Sequence, residues 1–252
     1  MKSFLSKKSI LRTMAVAAVC MLGATSVKAQ EFTIQGDFVS SYVWRGIYQG
    51  GAASFQPTLG FSIGDFSVTA WGSTDFDGNK SSEGLASKEI DLTAAYTLGE
   101  SGPTLSVASL WWAGQGAGKY FNFKSHETAH FFEAGLAYTL PCEKLPLSMA
   151  WYLMFAGADK NEEGKQNYSS YCELNYPFSV KSVDLNATVG FVPYKTYTVG
   201  YGNSGFAFTN VALKATTAIR ITDSFSLPIF AQAIWNPCLE DAHLVFGITL
   251  KP

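Results

Sequence analysis

Charged residues are scarce in this chain of 252 residues, and histidine and cysteine are scarcer still. Asp, Glu, Lys and Arg together make up 15% of the sequence, whereas an ordinary soluble domain contains about 25%. There are three histidines and four cysteines, and no C-x-x-C spacing occurs. The sequence therefore shows neither the ligand pattern of a zinc site nor a disulfide framework. It implies no metal and no cofactor.

Beyond residue 29 the chain also lacks a run of basic residues and an apolar run long enough for a transmembrane helix. Residues 1–29 hold five of the 18 Lys and Arg residues and none of the 20 Asp and Glu residues. The remainder is therefore acidic, with a formal charge of −7. A nucleic-acid-binding protein needs a basic surface to neutralise phosphates. Composition thus argues against nucleic acid as a partner.

The first 29 residues have the three parts of a secretory signal. Four basic residues, ending at Arg12, precede the apolar stretch Thr13 to Val27, and Val27-Lys28-Ala29 provides a cleavage site of the small-x-small kind. The apolar stretch is shorter than the roughly 20 residues that a membrane-spanning helix needs. We therefore predict a cleaved signal peptide over residues 1–29 and a mature domain over residues 30–252.

What the mature chain has in abundance is aromatic residues and period-two alternation. Aromatic residues make up 15% of the sequence, and segments such as Leu147 to Phe155 carry a large apolar residue at every odd position. Side chains alternate across a strand, so each such segment has one apolar face. We count twelve segments, which begin near residues 32, 54, 66, 87, 103, 127, 146, 166, 183, 206, 225 and 240.

The connections between these segments alternate in length. Short turns such as 64–65 and 222–224 are followed by longer polar or glycine-rich loops such as 77–86 and 114–125. This alternation is typical of outer-membrane barrels, in which the short turns are periplasmic. The rival fold is a soluble β-sandwich or lipocalin-like barrel, but it would need more charge on the polar faces of the strands. The predicted fold is an all-β, transmembrane, antiparallel up-and-down β-barrel of about twelve strands in the cell outer membrane.

A short motif near the start of the mature chain is similar to one in known porins. Ser41-Tyr42-Val43-Trp44-Arg45-Gly46-Ile47 resembles the opening motif of the TorF-like family of bacterial porins. Trp71-Gly72-Ser73 and Glu89-Ile90-Asp91-Leu92 fit that family too, so that the resemblance covers roughly residues 32–98. It implies an outer-membrane location, but it brings no established substrate and no catalytic residue.

If the apolar faces contact lipid, the opposite faces line the interior of the barrel. Charged side chains are costly at mid-membrane depth unless they face protein or water. The same parity turns several bulky aromatic residues inward, where they would narrow the lumen. The predicted charged lumen-lining residues are Arg45, Asp91, Glu133, Glu173, Lys214, Arg220 and His243. The predicted inward aromatic residues are Trp71, Trp112, Tyr152, Tyr171 and Phe230.

Two interpretations of this charged interior remain open. In the first, a mixed-charge lumen selects small polar or ionic solutes. In the second, an internal network of salt bridges holds a narrow barrel closed. We place Arg45 at the upper end of the first strand and expect it to anchor a constriction together with carboxylates such as Asp91. His243 would lie nearby, because closing the barrel pairs the first strand with the last.

The predicted function is passive diffusion of small polar or ionic solutes through a porin-like barrel. The alternative is a non-conducting barrel whose surface loops, such as 77–86, bind a ligand or partner. An outer-membrane enzyme acting on lipid is disfavoured, because no G-x-S-x-G motif occurs and His126, Glu127 and His130 form H-E-x-x-x-H, one residue longer than the zinc motif. The expected partners are outer-membrane lipid, the barrel-assembly machinery and small polar solutes.

Overall fold

The protein is an all-β barrel in a computed structural model that describes residues 30–50, 52–76, 88–113, 119–196 and 201–252. Twelve antiparallel strands close the barrel, and a separate two-stranded hairpin accompanies them. Each barrel strand pairs with the next one along the chain, and β1 pairs with both β4 and β14. The hairpin consists of β2 (Val43–Trp44) and β3 (Ile47–Tyr48). The barrel strands are β1 (Gln30–Val39), β4 (Ser54–Ile63), β5 (Phe66–Asp75), β6 (Lys88–Thr97), β7 (Thr104–Ala113), β8 (Phe131–Thr139), β9 (Ser148–Gly157), β10 (Ser170–Val180), β11 (Val183–Val192), β12 (Ala207–Arg220), β13 (Ser226–Asn236) and β14 (Asp241–Leu250).

This architecture confirms the predicted all-β, antiparallel up-and-down barrel and its number of strands. Every barrel strand begins within four residues of its predicted start. In the part of the chain that the structure describes, no helix is long and apolar enough to cross a membrane. The predicted signal peptide at residues 1–29 and the loop at 77–86 lie outside the described residues.

The outer surface of the barrel carries exposed apolar side chains along most strands. Leu59, near the middle of β4, is 57% exposed, and Leu92 of β6 and Val107 of β7 are also exposed. Their neighbours in sequence, such as Thr58 and Thr93, lie on the opposite face and are partly buried. An exterior this apolar is the arrangement of a transmembrane barrel and the reverse of a soluble one.

Two β-bulges interrupt the otherwise regular ladder. Between β8 and β9 the register shifts at Phe132/Glu133, and between β11 and β12 it shifts at Gly190/Phe191. The second shift leaves Thr209 of β12 without a partner residue on β11. Bulges bend a strand and redirect nearby groups. Both bulges lie where the hairpin contacts the barrel wall.

Candidate functional site: a hairpin inside the barrel

The chain leaves β1 at Val39 and folds into the barrel before it returns to the wall as β4. Val43 pairs with Tyr48 and Trp44 pairs with Ile47, which leaves Arg45 and Gly46 as a two-residue turn. Both turn residues have positive φ, 50° and 84°, as a type I′ hairpin turn requires. The prediction that Arg45 ends the first strand is therefore wrong, because a separate hairpin carries it.

The guanidinium group of Arg45 makes a bidentate ion pair with Glu133 of β8. Nη1 donates to Oε2 at 2.7 Å and Nη2 donates to Oε1 at 2.9 Å. Both side chains are shielded from solvent, with 11% of Arg45 and 7% of Glu133 exposed. A buried, fully paired guanidinium and carboxylate make strong, geometrically specific hydrogen bonds. The ion pair therefore attaches the tip of the hairpin to the barrel wall.

Three aromatic rings complete the surroundings of this guanidinium. Its central carbon lies 4.4 Å from the ring centroid of Trp44, 4.5 Å from that of Tyr152 and 4.6 Å from that of Tyr171. All three distances are within the range of cation–π attraction. An arginine with positive φ is itself costly by about 1–3 kcal/mol and persists only where its surroundings enforce it. Here the ion pair and the three rings hold Arg45 in this backbone conformation.

The backbone of the turn is held as firmly as its side chain. The hydroxyl group of Tyr201 donates to the carbonyl oxygen of Arg45 at 2.8 Å, and Nδ2 of Asn236 donates to the carbonyl oxygen of Gly46 at 3.0 Å. A Cβ atom at Gly46 would lie 1.9 Å from the carbonyl oxygen of Thr209, the bulged residue of β12. Only glycine permits this close approach.

The remaining hairpin side chains pack against the inner wall on several sides. Tyr42 contacts Trp71 of β5 with ring centroids 5.5 Å apart, and Trp44 contacts Trp112 of β7 at 5.6 Å. Tyr48 stacks on His243 of β14 at 5.8 Å. The hairpin therefore contacts inner-face side chains on opposite sides of the barrel and narrows the lumen there. Tyr42 and Trp44 thus lie inside the barrel.

Four of the seven predicted lumen residues lie in three different settings. Arg45 and Glu133 form the ion pair, and Asp91, which we expected beside Arg45, lies on the inner face of β6 but does not make that ion pair. Glu173 accepts hydrogen bonds from Tyr171 at 2.9 Å and from Asn175 at 2.7 Å.

The other three predicted residues belong to β12 and β14. The ammonium group of Lys214 lies 4.0 Å from the ring centroid of Phe230. His243 contacts Tyr48 of the hairpin, and its Nε2 lies 3.3 Å from Asp241. The prediction that Arg220 lines the lumen is wrong. Arg220 lies at the end of β12, where its exposed side chain pairs with Asp223 across the turn. The strand ends at this residue, so inward parity places it at the rim and not within the lumen.

Sequence reasoning missed the hairpin as a unit, together with the groups that hold it. Tyr201 and Asn236 do not stand out in the sequence, and the bulge at Thr209 has no recognisable motif. The available signal was the pair Arg45-Gly46 between apolar residues, since a glycine at the second position suits a two-residue hairpin turn. No group of three or more His, Cys, Asp or Glu side chains that could hold a metal ion occurs among the described residues.

Comparisons with known proteins add little to this geometry. No family model matches the chain, and no curated protein matches it. Among solved structures the chain is similar to a KdgM porin, with 7% sequence identity and a TM-score of 0.46. The match covers 86% of this chain and 97% of that one. A similarity this weak carries no argument about what the protein does.

Proposed function

We propose that the protein is an outer-membrane porin-like barrel, through which small polar or ionic solutes diffuse passively past the hairpin that narrows its lumen. The observation that carries the proposal is the reversed polarity of the barrel wall. Exposed apolar side chains such as Phe32, Ile34 and Leu244 cover the outside, whereas the inward faces away from the hairpin carry polar groups such as Asn175 and Asn186. A surface of this kind suits lipid outside and water inside.

The size of the barrel is compatible with a narrow pore. Eight strands enclose an interior filled by side chains, whereas sixteen to eighteen leave an aqueous channel. Twelve strands lie between these cases, so the hairpin determines how much of the lumen stays open. The resemblance of residues 41–47 to the TorF-like porins stays a prediction, and so do the signal peptide and the assembly machinery as a partner.

A non-conducting barrel is the second candidate, and the packing of the hairpin favours it. The Arg45–Glu133 ion pair and the contacts of Tyr42, Trp44 and Tyr48 place hairpin side chains against several strands of the inner wall. If these side chains close the lumen, no solute passes and the loops become the functional surface. The two candidates make opposite predictions about conductance.

Single-channel recording in a planar bilayer separates them. Residues 30–252 would be refolded in detergent, and folding would be verified by a change in gel mobility on heating. Discrete conductance steps from the folded protein are the result expected for a porin. A protein that is folded by the mobility criterion but gives no steps over many insertions would contradict the proposed pore and favour the non-conducting barrel.

A further inference from the structure

Two carboxylates on the inner face of β6 are buried without a direct ion-pair partner among the described residues. Glu89 is 3% exposed, and neither of its carboxylate oxygens has a hydrogen-bond partner among the described residues. Asp91, the next inward residue of the strand, has its Oδ1 buried and unpartnered as well. A buried charge that lacks a partner is costly. A proton shared by the two carboxylates, or a cation between them, would remove this cost.

Aromatic side chains flank both carboxylates. The strand register sets Trp112 opposite Glu89 and Trp71 opposite Asp91, and directly opposite side chains on one face of a sheet have Cβ atoms about 5 Å apart. Tyr42 of the hairpin packs on Trp71 and is also an electrostatic neighbour of Glu89. The carboxylates and the indole rings thus form one wall, with the tyrosine against it.

The same chemistry already holds an organic cation elsewhere in this lumen. The guanidinium group of Arg45 lies between the carboxylate of Glu133 and the faces of Trp44, Tyr152 and Tyr171. The Glu89–Asp91 wall has the same composition, carboxylate oxygens beside aromatic rings. What distinguishes it is that no Lys or Arg of the described chain pairs with these carboxylates.

The described inner wall carries a net negative charge. Away from its rims the described inner wall, with the hairpin, presents more carboxylates than cations. Arg45 is already neutralised by Glu133, and the ammonium group of Lys214 lies over an aromatic ring. A lumen lined by one sign of charge concentrates solutes of the opposite sign. The inner carboxylates are Asp37, Glu89, Asp91, Glu133 and Glu173, and the inner cations are Arg45 and Lys214.

We propose that Glu89 and Asp91, with Trp71, Trp112 and Tyr42, bind a small organic cation that carries an ammonium or guanidinium group. The barrel would consequently favour cationic over anionic solutes. The binding site rests on the contacts described above, whereas the solute preference also rests on the proposed pore function. The two parts need separate measurements.

Binding is measured on the refolded barrel in detergent, without any need for conductance. The probe is n-butylammonium at neutral pH, with n-butanol as its uncharged counterpart, and binding is followed by saturation-transfer NMR. The variant is Glu89→Gln with Asp91→Asn, which keeps the side-chain shapes and removes both charges. The matched control is Asp184→Asn, because Asp184 lies at an exposed strand end and accepts a hydrogen bond from Ser179.

We expect the native barrel to bind butylammonium but not butanol, and the double variant to bind at least about tenfold more weakly, as loss of charge-assisted hydrogen bonds implies. The Asp184→Asn protein should bind like the native one. A separate Trp71→Leu protein should also bind more weakly, which tests the aromatic part. Equal binding to the native protein and the folded double variant would overturn the proposal.

Permeation is tested by the reversal potential across a KCl gradient. A cation preference that falls in the double variant and persists in the Asp184→Asn protein supports the selectivity. If no channel opens but butylammonium binding depends on Glu89 and Asp91, the pore function fails and the binding site stands. Conductance with an anion preference would overturn the proposed preference for cationic solutes. The binding measurement would still decide the proposed cation site.

Discussion

Replacing Arg45 by alanine is expected to release the hairpin from the barrel wall. The substitution leaves Glu133, whose side chain is 7% exposed, buried beside the hairpin without its counter-charge. Removing one partner of a buried ion pair costs about 3–5 kcal/mol. The protein avoids this penalty if the hairpin moves away and water reaches the carboxylate. A penalty of about 3 kcal/mol changes the ratio of released to docked hairpin by more than about a hundredfold.

Hydrogen exchange of the backbone amides in residues 40–50 measures this equilibrium. Exchange through local opening follows the population of the open state, so these amides should exchange about a hundredfold faster in Arg45→Ala while the barrel strands keep their protection. The companion variant Glu133→Gln should act in the same direction, since it leaves the guanidinium group without its carboxylate.

Arg220→Ala is the matched control, because it makes the same substitution at an exposed ion pair. Exposed pairs contribute little to stability, so its exchange should be that of the native protein. The reasoning is refuted if Arg45→Ala and Glu133→Gln both fold and still protect residues 40–50 as well as the native chain does. The hairpin would then be held by its aromatic packing and backbone hydrogen bonds alone.

Three further predictions concern stability, measured by urea unfolding of the refolded barrel. Gly46→Ala should lower the free energy of unfolding by about 1–3 kcal/mol, because the new methyl group would overlap the carbonyl oxygen of Thr209. A variant as stable as the native protein would contradict the described docking of the hairpin. In a membrane, Leu59→Lys should lower the free energy of unfolding by about 2–4 kcal/mol and Thr58→Lys by much less, because only Leu59 faces outward. Equal losses in the two variants would argue against a lipid-facing exterior. Asn236→Ala should lower the free energy of unfolding by about 1–3 kcal/mol, since it removes a buried hydrogen bond to the hairpin. An unchanged midpoint of urea unfolding would mean that this hydrogen bond does not stabilise the docked hairpin.

The barrel itself follows from local patterns in the sequence. Alternation with period two identifies the strands, and the alternation of short and long connections orders them, because neighbours in an up-and-down barrel are also neighbours in the chain. The inward direction of Trp71, Trp112, Tyr152, Tyr171 and Phe230 follows from parity alone. Each of these five rings contacts the hairpin or an inner-wall charge in the structure.

The hairpin could not be predicted in the same way. Its strands are two residues long, too short for any periodicity, and residues 32–48 therefore look like one continuous strand. Its partner carboxylate, Glu133, is 88 residues away from Arg45, and the closed barrel rather than the local sequence brings the two together. The bulges beside Glu133 and at Thr209 shape the docking surface, and bulges leave no clear trace in composition.

The motif at residues 41–47 coincides with this hairpin. Tyr42 and Trp44 provide its inward rings, Arg45 provides the ion pair, and Gly46 permits the close approach to β12. The structure thus supplies a physical role for each of these four residues. Because these roles concern the docking of a hairpin, the motif describes how the lumen is narrowed and does not identify a solute.

Conductance of a barrel that lacks the hairpin tests the central claim most directly. In this variant residues 42–49 are replaced by a short glycine-serine linker between β1 and β4, and folding is verified by heat-dependent gel mobility. We predict discrete channels with a conductance well above that of the native chain in the same planar bilayer, because the side chains that narrow the lumen are gone. Folded barrels of both kinds that never conduct would contradict the claim that this protein is a pore narrowed by its own hairpin.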